Sequence, residues 1–317
     1  MNVFAFFLLL AQLDVNAWEQ HVVRLASDEM EGRAPGTPGG EAAARYIAEQ
    51  LDAAGLTPAG DRGYLQPVPL ADGKASANVV GTLEGAERAS GNVVLTAHYD
   101  AYGIGEADET GDTVYNGALD NACGVAALIE LARYFAERDA PLKRTLVFVA
   151  TTAEETGSLG LEFYAEHPAV PLDQTIVNIN VDGINTVGPT EDFIVFPSEG
   201  TETRAALELI GKRAGMSLGT ESWQDGMHFA FDTRVFLKRG IVGLTLWQGS
   251  RYRGLSSEEV STRRGRFGQI HSPGDEWPGW FDAAAVEQHL RLYITAIEHY
   301  AGDAPGPRLS DSNPFQR

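Results

Sequence analysis

The chain has one cysteine, Cys123, in 317 residues. That excludes an intrachain disulfide, and it excludes a zinc site built from several thiolates. Basic residues are also scarce: 24 Lys and Arg stand against 44 Asp and Glu, for a net charge of −20. So acidic a surface argues against nucleic acid and against an anionic membrane face as the main partner. It suits a protein that concentrates cations. Long apolar runs are missing beyond the N-terminus, so no later segment looks transmembrane. There is no internal repeat, and no linker that would split the chain. What remains is ordinary globular composition, 44% hydrophobic and 21% charged, with ample material for one large core.

The one early apolar run, Val3 to Ala11, is too short to span a bilayer. It reads as the apolar core of a secretion signal, residues 1–17, with Val15-Asn16-Ala17 ahead of a cut before Trp18. No Lys or Arg precedes the run, and the alternative is the first turns of a buried helix. On the signal reading the protein is exported, periplasmic or secreted. The body, 18–302, forms a single domain, and the Pro/Ser/Asp-rich tail, 303–317, is expected to be disordered.

Within the body, apolar residues at helical spacing mark Trp18 to Met30, Glu41 to Ala54 and Ala122 to Arg138. Further helices are expected at Leu159 to His167, Thr203 to Ala214 and about Phe281 to Tyr300. Short β-rich runs lie at Asn78 to Gly85, Asn92 to Ala97, Thr145 to Ala150, Thr175 to Val181 and Ile241 to Trp247. Gly103 to Gly117 and the Arg-rich Ser250 to Gln269 read as loops. Strands alternating with helices predict α/β: a central mixed, largely parallel sheet with helices on both faces.

Chemistry-bearing residues gather after the apolar runs. His98-Tyr99-Asp100 follows NVVLTA. Asp120-Asn121 stands before the long helix. Glu154-Glu155 follows LVFVATTA, and Asp182-Gly183 follows TIVNINV. In open α/β sheets, ligands bind at the carboxyl ends of strands. Adjacent carboxylates repel, and burial worsens it, unless a cation holds them. Without a cysteine cluster, a His/carboxylate set suits zinc, manganese or another borderline divalent ion. There are more such residues than one tetrahedral ion needs, which points to two metals.

The blocks SDEMEGRAPGTPGGEAAARYIAEQLDAAGLTP (Ser27 to Pro58), LTAHYD, YNGALDNACGVAALIELAR, VFVATTAEETGSLGLEFYAEHP, NINVDGI and IHSPGDE run in order from Ser27 towards Tyr300. In them the sequence resembles the co-catalytic di-zinc aminopeptidases. That group includes bacterial leucyl aminopeptidase and aminopeptidase Y and, more distantly, glutamate carboxypeptidase and glutaminyl cyclase. The resemblance implies a zinc-exopeptidase fold of the phosphorylase/hydrolase-like kind and two Zn²⁺ per chain. It implies that His98 and Asp182 bind one zinc, that Glu155 and His271 bind the other, and that Asp120 bridges them. Asp100 matches a carboxylate that orients His98, and Glu154 matches the general base that activates a metal-bridging water. It also implies a cis bond after the bridging aspartate, here Asp120–Asn121.

The expected function is removal of N-terminal residues from peptides with a free N-terminus. Carboxypeptidase action, glutaminyl cyclisation at a single zinc, or a non-catalytic receptor-like module are the alternatives. Ile270 stands where carboxypeptidase relatives have Tyr, so no oxyanion helper is assigned. In FDTRVF, Asp232 and Phe236 match a pocket motif of some members, with Thr233 in place of His. Cys123 stands where Ser is common and reads as a small buried helix residue. His21, His289 and His299 read as packing or surface residues, His167 sits at a helix end, and His228 is the rival to His271. Trp223, Met227, Phe229, Phe231 and Trp247 are candidates for an apolar substrate pocket or for the core. Arg234 and the Arg251 to Arg266 loop are candidates to meet a substrate carboxylate.

Overall fold

The computed structural model describes residues 12–198, 200–221 and 231–311. The strands are β1 (Thr57–Pro58), β2 (Leu65–Pro69), β3 (Ala75–Leu83), β4 (Asn92–His98), β5 (Gly103–Ile104), β6 (Val114–Tyr115), β7 (Thr145–Thr151), β8 (Thr175–Asn180), β9 (Asp192–Phe196), β10 (Ser217–Leu218) and β11 (Gly243–Gln248). The helices are α1 (Val15–Leu25), α2 (Pro38–Ala53), α3 (Cys123–Ala136), α4 (Leu159–Glu166), α5 (Arg204–Ala214), α6 (Thr233–Leu237), α7 (Ser257–Arg264) and α8 (Ala283–Ala301).

Among the described residues one sheet runs β1-β3-β7-β4-β8-β11-β9-β10, with β2 also on β3. Its centre, β7-β4-β8-β11, is parallel, while β3 and β9 join antiparallel. β3 and β4 are consecutive in sequence but not neighbours, because β7 lies between them. The strand pleat sends alternate residues to opposite faces. Val93, Leu95 and Ala97 of β4 enter the large core, as do Leu146, Phe148 and Ala150 of β7. Val94, Val147 and Val149 point the other way, onto Leu161 and Tyr164 of α4 and Val235 and Phe236 of α6. Residues of α1, α2, α3, α5 and α8 cover the first face. The single mixed α/β domain with helices on both faces is thus as the sequence implies.

Four local features differ from the sequence expectation. The run Val3–Ala11 lies outside the described residues. Helix α1 begins at Val15, where the Asp14 side chain accepts from the Asn16 and Ala17 amides at 3.0 Å each. The expected cut before Trp18 therefore falls inside this helix. Trp18 is fully buried, its indole donating to the Cys123 carbonyl at 3.0 Å. The tail is ordered as far as it is described: Leu309 packs on the core and pairs with Thr201, and Arg144 bonds the Ala304 carbonyl. The Gly/Asp-rich loop carries the β5–β6 ribbon. The Arg-rich loop contains α7, started by a reciprocal cap in which Ser256 and Glu259 satisfy each other's amides.

Candidate metal centre

The parallel strands β7, β4 and β8 end at one edge, with His98 beside Thr151 and Thr96 beside Asn180. His98 closes β4. Glu154 and Glu155 stand just past β7, and Asp182 just past β8. Asp120 sits in the turn that enters α3. The pair Glu154-Glu155 leaves the strand through a tight turn in which Ala153 and Ser158 take φ of 58° and 60°. Such values are uncommon outside glycine. The Gly157 and Ser158 amides close this turn on the Glu154 carbonyl at 2.8 and 2.9 Å.

All seven residues singled out in the sequence come together. His98 Nε2 lies 3.1 Å from Asp120 Oδ1 and 3.8 Å from Asp182 Oδ1. His271 Nε2 lies 2.8 Å from Asp120 Oδ2 and 3.7 Å from Glu155 Oε2. Ligand atoms of His98, Asp120 and Asp182 fall within 4.8 Å of one another, and so do those of Asp120, Glu155 and His271. Asp120 thus divides its two oxygens between two sets. Glu155 Oε1 is buried without a hydrogen-bond partner. A buried orphan oxygen and paired His/carboxylate sets fit hard-to-borderline divalent ions such as zinc. The Asp120–Asn121 peptide bond is cis, as the family resemblance implies.

The supports around these residues are more extensive than the sequence suggests. The Asp100 carboxylate, fully buried, accepts the Glu154 amide at 3.1 Å and the Glu155 amide at 3.3 Å. It lies 3.8 Å from His98 Nδ1, whereas the Asp100 carbonyl is nearer, at 3.2 Å. The Asp100 backbone is therefore the closer partner of His98, and its side chain holds the glutamate turn. Asn121 donates to the Val181 carbonyl at 2.9 Å and accepts the Gly183 amide at 2.9 Å, tying the Asp120 turn to the Asp182 turn. Asp275 accepts the Leu119 and Asp120 amides at 2.9 and 3.1 Å. Beneath lies Arg33, fully buried. It donates to the carbonyls of Tyr99, Leu25 and Asn116 at 2.6 Å each and of Gly117 at 2.9 Å. One guanidinium thereby fixes both segments that carry His98 and Asp120.

Charge is frustrated at this edge. Burial, then the charges of Asp232, Asp182 and Asp100, pushes the Glu154 carboxyl up to about 8. Burial and Asp120 push Glu155 up to about 7. Burial also raises Asp182. Asp120 goes the other way: burial opposes ionisation, yet the His271 and His98 imidazoles hold it below the usual carboxylate range. Burial would lower His98, but Asp120 and Asp182 keep it well above its ordinary value. A divalent cation among these carboxylates reverses the penalty and competes for the same imidazole nitrogens.

The site opens into a cleft of ≈ 880 Å³. Phe231 and Trp247 line it, their rings 5.7 Å apart, and the Trp247 indole donates to the Asp182 carbonyl. Ile270, Arg234 and Arg264 line it too. Trp223, Met227, His228 and Phe229 lie outside the described residues. His289 is a core residue: Nδ1 accepts the Asn185 amide at 2.9 Å, Nε2 reaches the Leu246 carbonyl at 3.0 Å, and burial lowers its pKa to about 4. Cys123 is fully buried in the first turn of α3, as a small helix residue should be. Arg33 and Asp275 were not singled out in the sequence, and Asn121 was named only as the neighbour of Asp120 across the expected cis bond. Asn121 and Asp275 lie in the LDN and PGDE stretches beside the candidate residues Asp120 and His271, while Arg33, in EGR, is far from all of them in sequence.

A family model described as Peptidase family M28 matches residues 78–297. A probable zinc metalloprotease of Pyrenophora teres f. teres is 41% identical over 88 residues, covering 28% of this chain and 18% of that protein. The matched stretches span less than a third of the curated relatives' own lengths. Solved structures that share the fold include the following two. A zinc aminopeptidase from Bacillus subtilis is 14% identical, with a TM-score of 0.65 over 96% of this chain and 99% of that one. The LapA aminopeptidase of Legionella pneumophila is 16% identical, with a TM-score of 0.66 over 92% of this chain and 73% of that one.

Proposed function

The chain belongs to peptidase family M28, and from that premise we propose that it is a zinc-dependent exopeptidase acting on the N-terminal bond of peptides. The observation that carries this reading is Asp120, whose two oxygens reach His98 in one ligand set and His271 in the other. That division supports two zinc ions, held by His98, Asp120 and Asp182 and by Asp120, Glu155 and His271. When bound, zinc supplies Lewis-acid polarisation of the scissile carbonyl and acidifies the attacking water.

The protein's own residues do the rest. Glu154 lines the cleft beside both sets and takes the general-base role, accepting a proton from water and returning it to the leaving amine. Asp100, through the Glu154 and Glu155 amides, fixes the backbone of the turn that presents the two carboxylates. The acidic edge attracts the substrate's free ammonium, and Phe231 and Trp247 face its side chain. Among the described residues no helix is long and apolar enough to cross a membrane. The apolar run at Val3–Ala11 supports export.

A substrate screen tests the activity. With zinc added, amino-acyl p-nitroanilides should be cleaved and N-blocked peptides left intact. Release of C-terminal residues from N-blocked peptides, or cyclisation of N-terminal glutaminyl peptides without cleavage, would overturn the aminopeptidase reading.

A further inference from the structure

Five arginines lie between Arg251 and Arg266, and the fold disposes of them differently. Arg251 faces Glu191 and Asp192, each at 3.6 Å. Arg253 donates to the Gly215 carbonyl at 2.9 Å. Arg263 pairs with Asp282 at 3.1 Å and donates to the Val187 carbonyl at 2.8 Å, pinning α7 to the cleft wall. Arg266 lies over the Trp280 ring at 4.7 Å. Arg264 alone among the five lines the cleft. It is exposed, and its contacts are with a phenol: Nη2 donates to the Tyr252 hydroxyl at 3.2 Å, and the guanidinium lies over that ring at 5.8 Å. Among the described residues no carboxylate pairs with it.

Its position relative to the metal centre follows from the chain. The segment Gly183 to Val187 forms a wall of the cleft, starting directly after the ligand Asp182. It leads on to Thr190, which pairs with Tyr252, the partner of Arg264. One end of this wall therefore carries the carboxylates of the metal centre, and the other carries a guanidinium. In a chain of net charge −20, the general field repels an anionic group. A cation on the cleft rim is where such a group would be received, since a guanidinium offers a fork of donors matched to a carboxylate.

We propose that Arg264 is a carboxylate-binding subsite, and that the substrates are short peptides whose α-amine meets the acidic edge while a carboxylate meets Arg264. The inference rests on the exopeptidase reading above. The carboxylate is either the peptide's C-terminus or an acidic side chain near it, and the substrates below separate the two.

The test uses the zinc-loaded full chain with Leu-Ala-Ala, its C-terminal amide, and Leu-Ala-Glu amide. Native protein should show kcat/KM about ten-fold higher on the free acid than on the neutral amide, mainly through KM. Arg264→Gln should bring the acid down to the amide's level and leave the amide unchanged, while Arg251→Gln keeps the preference. If Leu-Ala-Glu amide matches the free acid, a side-chain carboxylate suffices. If it matches the neutral amide, the terminal carboxylate is the ligand. Equal native kcat/KM on acid and amide, or a preference that survives in Arg264→Gln, would overturn the proposal. Failure to hydrolyse any of the three counts against the exopeptidase reading instead. Calorimetric binding then decides the subsite, which stands if the amide binds about ten-fold more weakly than the acid to native protein alone and falls if the two bind equally.

Discussion

Glu154→Gln is expected to lower kcat by about 10³-fold while KM and zinc content stay close to native values. The substitution keeps the shape of the side chain and removes its ability to take a proton. The Glu154 side chain belongs to neither set built on Asp120, although its carboxylate lies within 4.8 Å of ligand atoms of His98 and Glu155, so zinc content is the readout that separates a base from a ligand. The hydrogen bond that the Glu154 backbone amide donates to the Asp100 carboxylate is untouched. A matching fall in zinc content would mean that Glu154 holds metal. A kcat within ten-fold of native would mean that the proton goes elsewhere. Burial first, with nearby carboxylates, pushes the Glu154 carboxyl up to about 8. Divalent charge beside it shifts the balance towards the ionised form that a base requires.

The second large effect is expected at Arg33. Arg33→Met removes four hydrogen bonds and leaves buried carbonyls of Leu25, Tyr99, Asn116 and Gly117 short of a donor. Burial brings this guanidinium down to about 10, with Asp275, Asp100 and Asp120 opposing the shift. The cation is therefore kept in the interior by its carbonyls and by the carboxylates above it. Removing one member of such a buried charge network costs about 3–5 kcal/mol. In a domain of this size that is a fall in Tm of roughly 10 °C. Arg33→Lys restores charge but not the planar fork of donors, and should recover part of the loss. Zinc affinity, measured by competition with a chelating dye, should fall in both variants, because the segments carrying His98 and Asp120 lose their common anchor. A Met variant that melts within 1 °C of native and binds zinc normally would refute this role.

Three of the proposed ligands were legible in the sequence because each follows a strong local signal. His98, Glu155 and Asp182 come directly after apolar runs, and a parallel sheet brings such ends to one edge. Asp120 was legible from its place just before the long helix, and His271 required the family resemblance, since an exposed loop carries no periodicity. Arg33 was hidden for a different reason. In EGRAPG it looks like a solvated loop residue, and its partners are backbone carbonyls supplied by segments as far away as Gly117, whose identities leave no trace in side-chain pattern. The role of Asp100 was sharpened for the same reason: its carboxylate meets the amides of Glu154 and Glu155, 54 and 55 residues on.

The loop expected at Ser250 to Gln269 contains α7, where Ser256 and Glu259 supply a helix-start signal that the surrounding arginines mask. The short strands β2, β9 and β10 have too little alternation to stand out, and pairing with longer neighbours creates them. The tail through Asp311 is Pro-rich and polar, yet Leu309 finds the core and the Glu202 amide finds the Arg308 carbonyl.

The adjacent glutamates pose the question that the whole centre answers: what makes two carboxylates stable at the end of a buried strand. The account requires two metals, one for each ligand set that shares Asp120. The direct measurement is elemental analysis of zinc against protein after equilibration and dialysis, on native chain and on His271→Ala. His271 belongs to only one set. The account predicts two zinc per native chain and one in the variant. A native count of one, unchanged in His271→Ala, would contradict it.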